Sequence, residues 1–303
     1  MALTMAQAGA ADNAITRGAV EILKEVSNIF DRIPVVEIKG PSYGYREEVA
    51  LPEAAFRTVN EAYIESTGVI DFSNEPLVIL GGEADVDRFL ERTLSDDLGS
   101  LMAQQVKMKL KAVHSAYANS MFNGDVNVNA KEFDGLRKRL TGSQVIDSAT
   151  PANTDAFLGE LDDLFAQVDG GSPDAVYAPA EVIAKLKTVA RKAGGAEYVM
   201  SEITGKREFT WNGVPFLDPG MHWSGRRILA VDPTNGGDVY AVKFADSYND
   251  SGCFTITNGG LQVYQVGPEL EEKPAYRTRI EFYCGFVVQG KNAAATLTGV
   301  KLA

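Results

Sequence analysis

An α+β fold is predicted by three features of the chain. A stretch from Val35 to about Leu80 alternates without building a helix, a long helical periodicity runs from Glu83 to Met121, and the final third is dominated by strands. Neither a βαβ repeat nor an internal sequence repeat accompanies them, which argues against a doubly wound sheet or a solenoid.

The elements follow from residue spacing. Ile15, Ala19, Ile22, Leu23, Val26, Ile29 and Phe30 form one helical stripe over residues 15 to 30, and Pro34 stops it. The fourteen residues before it are small and polar and read as a loose arm. Val36/Ile38, Tyr43/Tyr45 and Val49/Leu51 then alternate, punctuated by Gly40-Pro41, Gly44, Pro52 and Gly68. This extended stretch holds few large aliphatic residues in its middle. A lone two-stranded ribbon is marginal in water, so it is expected to lie on another surface.

Between Glu83 and Met121 there is no proline and the only glycine is Gly99. A continuous helix there would reach about 58 Å at 1.5 Å per residue. A compact globule of this chain length is about 50 Å across, so either Gly99 breaks the helix or the subunit is flat. A helix with Phe157, Leu158, Leu161, Leu164, Phe165 and Val168 on its apolar stripe comes next, capped by Asn153 or Thr154. A short strand at 175–177 leads to a helix opened by Pro179 and closed by Gly194-Gly195, and Asn212-Gly213 marks a tight hairpin. Strands are expected at 227–231, 239–244, 254–257, 261–266, 277–289 and 295–302.

Composition narrows the function. The 303 residues are 45% hydrophobic and 23% charged with a formal charge of −12, a globular balance opposite in sign to that of a protein gripping DNA through phosphates. Lys107 to Lys111 and Arg137-Lys138-Arg139 are the densest basic runs, and both read as solvated or subunit-facing charge. No apolar run is long enough to span a membrane, no basic-then-apolar leader opens the chain, and two cysteines without CxxC spacing suggest a reducing, cytosolic setting.

Motifs for chemistry are missing. There is no phosphate-binding loop, nucleophile elbow or HExxH pair, and the two histidines, His114 and His222, are too few for a zinc site or a triad. Asp125-Val126-Asn127-Val128-Asn129 imitates a calcium loop, but Ala130 replaces the turn glycine and Leu136 the bidentate glutamate. Neither catalytic, cofactor-binding nor metal-binding residues are therefore expected.

Several stretches, taken in order, resemble the major capsid (head) proteins of tailed bacteriophages with the Hong Kong 97-type fold. They are Pro52 to Arg57 through Asn60 to Gly68, Leu80-Gly81-Gly82-Glu83 through Phe89, Phe122-Asn123-Gly124-Asp125 with Phe133-Asp134-Gly135-Leu136, and Tyr276 to Glu281 with Ala293 to Val300. The resemblance implies an N-terminal arm and first helix over 1–34 and an extended loop (E-loop) over 35–76. A P domain with the spine helix spans 77–147 and 262–292, and an inserted A domain 148–261 with 293–303. It implies a structural protein, not an enzyme, that assembles with itself into pentamers and hexamers. These would close an icosahedral shell, the virion capsid, in the bacterial host cytoplasm around double-stranded DNA that is not read by sequence. Scaffold, portal and decoration proteins are possible partners; no membrane or cofactor is involved. Inter-subunit contacts are expected from Tyr43, Tyr45, Arg46, Glu48, Phe56, Arg57, Arg137, Lys138 and Arg139. Lys39, the only lysine between Lys24 and Lys107, lies far from the loop tip, so lysine-to-asparagine cross-linking is not expected. The alternatives are an encapsulin-type nanocompartment shell of the same fold and, more distantly, a cytosolic enzyme.

Overall fold

The computed structural model describes residues 3–4, 28–98, 101–193, 197–200, 205, 207–245, 250–266 and 274–302. In chain order the first half contains β1 (Leu3–Thr4), β2 (Pro34–Glu37), β3 (Ser42–Ala50), β4 (Val69–Pro76), β5 (Val78–Asp87), α1 (Arg88–Leu98), α2 (Leu101–Asn123), α3 (Leu136–Arg139) and β6 (Val145–Asp147). The second half contains α4 (Ala156–Gln167), β7 (Ala175–Tyr177), α5 (Ala180–Ala193), β8 (Glu197–Met200), β9 (Arg207–Trp211), β10 (Val214–Leu217), β11 (Gly237–Val242), β12 (Gly252–Val266), β13 (Ala275–Gln289) and β14 (Ala294–Val300). The fold is α+β as expected. Of the helix expected over 15–30 only residues 28–30 are described, and they lie in a bend and turn.

Three sheets organise the described residues, in the orders β1-β2-β12-β13-β5, β6-β14-β11-β7-β10-β9-β8, and β3-β4. The first sheet carries α2 on one face. Ile280, Phe282, Cys284 and Phe286 of β13 alternate inward to meet Leu110, Val113, Tyr117 and Met121 of α2, together with Ile29, Phe30 and Ile33. Within this core the Tyr117 hydroxyl shares a 2.5 Å hydrogen bond with Thr255 Oγ1.

The large sheet is apolar on both faces. Val176 of β7 and Val239 and Ala241 of β11 face α4 and α5, whose Phe157, Leu161, Leu164, Val182 and Leu186 complete one core. Their strand neighbours Ala175, Tyr177, Tyr240 and Val242 turn the other way and join the α2 core through Phe122. The two sheets therefore share a continuous interior.

Several expected boundaries move. The long helix does not begin at Glu83, because Glu83 to Asp87 alternate with period 2 and pair with β13, Ala84 and Val86 buried and Asp85 outward. Helix α1 starts only at Arg88 and is succeeded by α2, a 23-residue helix about 35 Å long. Thr154 does not cap α4; its hydroxyl donates to Pro151 O, and Asp155 at the N-cap position makes no side-chain cap. Residues 227–231 form no strand, only a bridge between Met221 and Arg227. The division expected at 261/262 falls inside β12, which pairs with β13 from Gly252 onward; the division at 147/148 leaves β6 beside β14 in the large sheet. The Asn-Gly hairpin is present, with Asn212 and Gly213 at φ +50° and +79° between β9 and β10.

Two glycines lock the C-terminal end of α2. Gly135 N–H donates to Gly124 O at 2.9 Å, and a Cβ on Gly135 would lie 2.5 Å from Ser120 O and 2.7 Å from Gly124 N. Only glycine permits this backbone-to-backbone approach. The Asn-Gly-Asp and Phe-Asp-Gly-Leu stretches are thus two halves of one packing contact.

Candidate subunit interface

Ribbon β3-β4 pairs from Ser42↔Pro76 out to Ala50↔Val69, with one irregularity after Glu48. Strand alternation gives it two faces. One face grips the body at the base. Tyr45, only 8% exposed, packs with Phe254, Ile256 and Val287, and its hydroxyl donates to Val288 O at 3.2 Å. Burial, with Glu75 and Glu47 nearby, pushes the Tyr45 phenol up to about 12. Glu47 Oε1 accepts the Gly290 N–H at 2.8 Å, and Arg139 clasps Glu75 through both guanidinium nitrogens. A cleft of about 770 Å³ lies between this base and the body.

The opposite face meets solvent. Arg46 stands across from Phe72 and Glu48 across from Ile70. Phe72 and Ile70 are 65% and 63% exposed. The Phe72 ring lies over Gly44, where a Cβ would sit 2.8 Å from it, so the glycine makes room for the aromatic. At the tip Phe56 is fully exposed, with Leu51, Val59, Tyr63 and Ile64 also open. The tip is shaped locally: Arg57 lies 4.9 Å from the Tyr63 ring, Glu61 accepts from Thr58 N–H and Oγ1, and Ser66 donates to Glu53 O. Such a concentration of exposed apolar side chains is the mark of an interaction surface.

The nine residues expected at contacts therefore separate. Arg46, Glu48, Phe56 and Arg57 lie on the open side of the ribbon or its tip. Tyr45 does not face outward, because its ring fills the chain's own core, and Tyr43 stacks on it and meets Phe254 edge-on. The basic run is engaged within the chain: Arg137 with Asp238 at 2.7 Å, Lys138 with Asp125 and Asp134 at 2.6 and 2.8 Å, Arg139 with Glu75. Ile70, Phe72, Phe89 and Leu90 were not among the expected contacts, although each is exposed. Their apolar residue types give no sign in sequence of which side is left open.

Lys138 also accounts for the calcium-loop imitation. Its ammonium sits between Asp125 and Asp134, where a cation would otherwise be sought, and Asp125 also takes the Asn127 N–H. The Lys138 hydrogen bond, with that N–H, holds the Asp125 carboxyl below its usual range. His114 is buried on α2 against Phe30, and desolvation pushes its imidazole down to about 4. Cys253 and Cys284 are buried free thiols. Burial raises both, Cys253 to about 12, far from a reactive thiolate. Among the described residues no cluster of His, Cys, Asp and Glu suits a metal, and no helix is long and apolar enough to cross a membrane.

The far part of the first sheet presents a charged ladder. Arg277 holds Asp85 through two bonds of 2.7 and 2.8 Å, and Arg279 holds Glu83 on the adjacent rung. Tyr283 donates to Glu281 at 2.7 Å beside them.

A fold with an apolar ribbon of this kind has counterparts among solved structures. Residues 11–156, just under half the chain, match the family model of major capsid protein GP7. Similar solved structures include the holo-SrpI encapsulin complex of Synechococcus elongatus PCC 7942, at 14% identity over 90% of this chain and 86% of that one, TM-score 0.67. The capsid of a native GTA particle has 14% identity over 92% and 89%, TM-score 0.61, and that of Microbacterium phage Oxtober96 has 12% over 91% and 91%, TM-score 0.58. No curated protein sequence matches.

The chain has the Hong Kong 97-type capsid fold.

Proposed function

We propose that this protein is the major head subunit of a tailed bacteriophage, joining head-to-tail into rings of five and six that close as an icosahedral shell around double-stranded DNA. The observation that carries the reading is the E-loop, a ribbon tied down at its base and apolar where it leaves the body, on a chain whose first half matches a major capsid protein. An apolar ribbon of this kind gains its stability from a neighbour. The contact surface comprises Arg46, Glu48, Phe56 and Arg57 with Ile70 and Phe72. The domain limits follow the sheets: an E-loop within 35–76, a P domain built on β5, α2, β12 and β13, and an A domain built on the large sheet.

A net charge of −12 suits a container that does not bind its cargo tightly. Assembly takes place in the host cytoplasm and the product is the virion wall. Decoration proteins are natural partners, since a similar structure is that of phage G gp27 major capsid proteins with gp26 decoration proteins. Scaffold and portal proteins belong to the same assembly. Lys39, at the foot of the loop, leaves the shell without lysine cross-links.

An encapsulin-type compartment is the second reading, favoured by the TM-score of 0.67 to an encapsulin. Shells purified from the native source after nuclease treatment separate the two. Protected double-stranded DNA of uniform length supports the head; a packaged enzyme without DNA supports the compartment.

A further inference from the structure

We propose that Asn258 is a site of spontaneous covalent modification, its side chain cyclising onto the Gly259 amide and ageing to aspartate or isoaspartate beside the root of the β3-β4 ribbon.

The sequence holds four Asn-Gly steps, Asn123-Gly124, Asn212-Gly213, Asn235-Gly236 and Asn258-Gly259. Glycine after asparagine leaves the attacking backbone nitrogen unshielded by a side chain, so all four are chemically competent in an unfolded chain. Folding separates them. Asn123 is held at both reacting groups: its Nδ2 donates to Ile228 O at 2.9 Å, and the Gly124 N–H donates to Ser120 O at 2.9 Å. The Gly236 N–H is tied to Asp232 O at 2.8 Å. Asn212 Nδ2 donates to Asp162 Oδ1 at 3.1 Å, and the tight turn sets its backbone at φ +50°.

Asn258 is exposed and makes no side-chain hydrogen bond among the described residues. It opens a bulge in β12. Thr257 pairs with Cys284 and Leu261 with Phe282, so residues 258–260 stand opposite Tyr283 alone. Gly259 and Gly260 follow at φ +74° and +64°, outside the ladder register. There the chain can turn the Gly259 nitrogen toward Asn258 Cγ without unpairing a rung, and the positive φ keeps glycine at 259.

The step needs water and no other reactant. Gly259 N bonds to Asn258 Cγ as the Cγ–Nδ2 bond breaks, and the nitrogen's proton leaves with ammonia. Water then opens the cyclic imide at either carbonyl, giving aspartate or, with the backbone rerouted through the side chain, isoaspartate. Each adds a carboxylate, and isoaspartate lengthens the backbone by a methylene. The change falls next to Thr257, whose carbonyl accepts the Ile38 N–H at 2.8 Å where β2 ends and the chain runs on to β3.

Ageing the full chain in mildly alkaline heavy-oxygen water, followed by digestion and mass spectrometry, tests the site. Label is expected at residue 258 about tenfold faster than at 123, 212 or 235, roughly what one protecting hydrogen bond is worth. In denaturant the four rates are expected to converge. Hydrogen exchange at Ile38 is expected to be faster in the aged fraction than in fresh protein, and Asn258→Gln to abolish both the label at 258 and that change. Another Asn-Gly step leading in the folded protein, or the same order persisting in denaturant, would overturn the assignment. Unaltered exchange at Ile38 in fully converted protein would overturn the link to the ribbon root.

Discussion

Arg139 and Glu75, 64 residues apart, are joined by two parallel hydrogen bonds that pin the foot of the β3-β4 ribbon to the end of α3. Both side chains are about 15% exposed, so the pair is shielded and its bidentate geometry is specific to arginine. Arg139→Met leaves a carboxylate with little solvent and is expected to destabilise the fold by about 3 kcal/mol. Hydrogen exchange should report it first as faster exchange across β3 and β4, with α4 and α5 unchanged.

Loop-face truncation behaves differently. Ile70→Ser with Phe72→Ser removes apolar groups that already face water, so the melting temperature of the unassembled subunit should stay within a few degrees of wild type. Assembly should fail. Native mass spectrometry of the two proteins side by side checks both halves.

His114 imposes a pH dependence. Its imidazole is buried, Nε2 has no partner among the described residues, and its folded pKa of about 4 lies below the unfolded 6.5. The unfolded chain therefore binds the proton first, so stability rises with pH across that window and is lost as pH falls from 6.5 toward 4. Between pH 7 and pH 5 the loss from this residue is about 2 kcal/mol. Denaturant titrations of wild type and His114→Leu at the two pH values measure it; the variant should show that much less dependence.

Gly135→Ala tests the double-glycine contact. The added methyl meets Ser120 O and the Gly124 amide, backbone atoms that cannot rotate away, so a loss of about 3 kcal/mol is expected by thermal or denaturant unfolding.

Calcium should leave wild type unchanged, since the Lys138 ammonium occupies the space between Asp125 and Asp134. Lys138→Met should speed hydrogen exchange at Val126 and Asn127, whose amides those carboxylates accept.

Much of the fold was legible because its signals are local. The period of α2, the alternation of β3 and the Asn-Gly turn are properties of neighbouring residues, and the structure contains all three. Glu83 to Asp87 misled because Val86 fits both a helical and an alternating pattern; its partners on β13 lie about two hundred residues away. The interface was legible only in part for the same reason. Tyr43 and Tyr45 look like contact aromatics until Phe254 and Val288 are brought beneath them, and the ion-pair partners of Arg137 and Arg139 lie 101 and 64 residues away in the chain.

Self-assembly is the central claim, and imaging the purified full-length chain by electron microscopy with mass photometry, from low to moderate salt, tests it most directly. Closed thin-walled shells, or rings of five and six subunits, are the predicted result. A stable monomer that never associates, even with its E-loop residues intact and scaffold supplied, would contradict it.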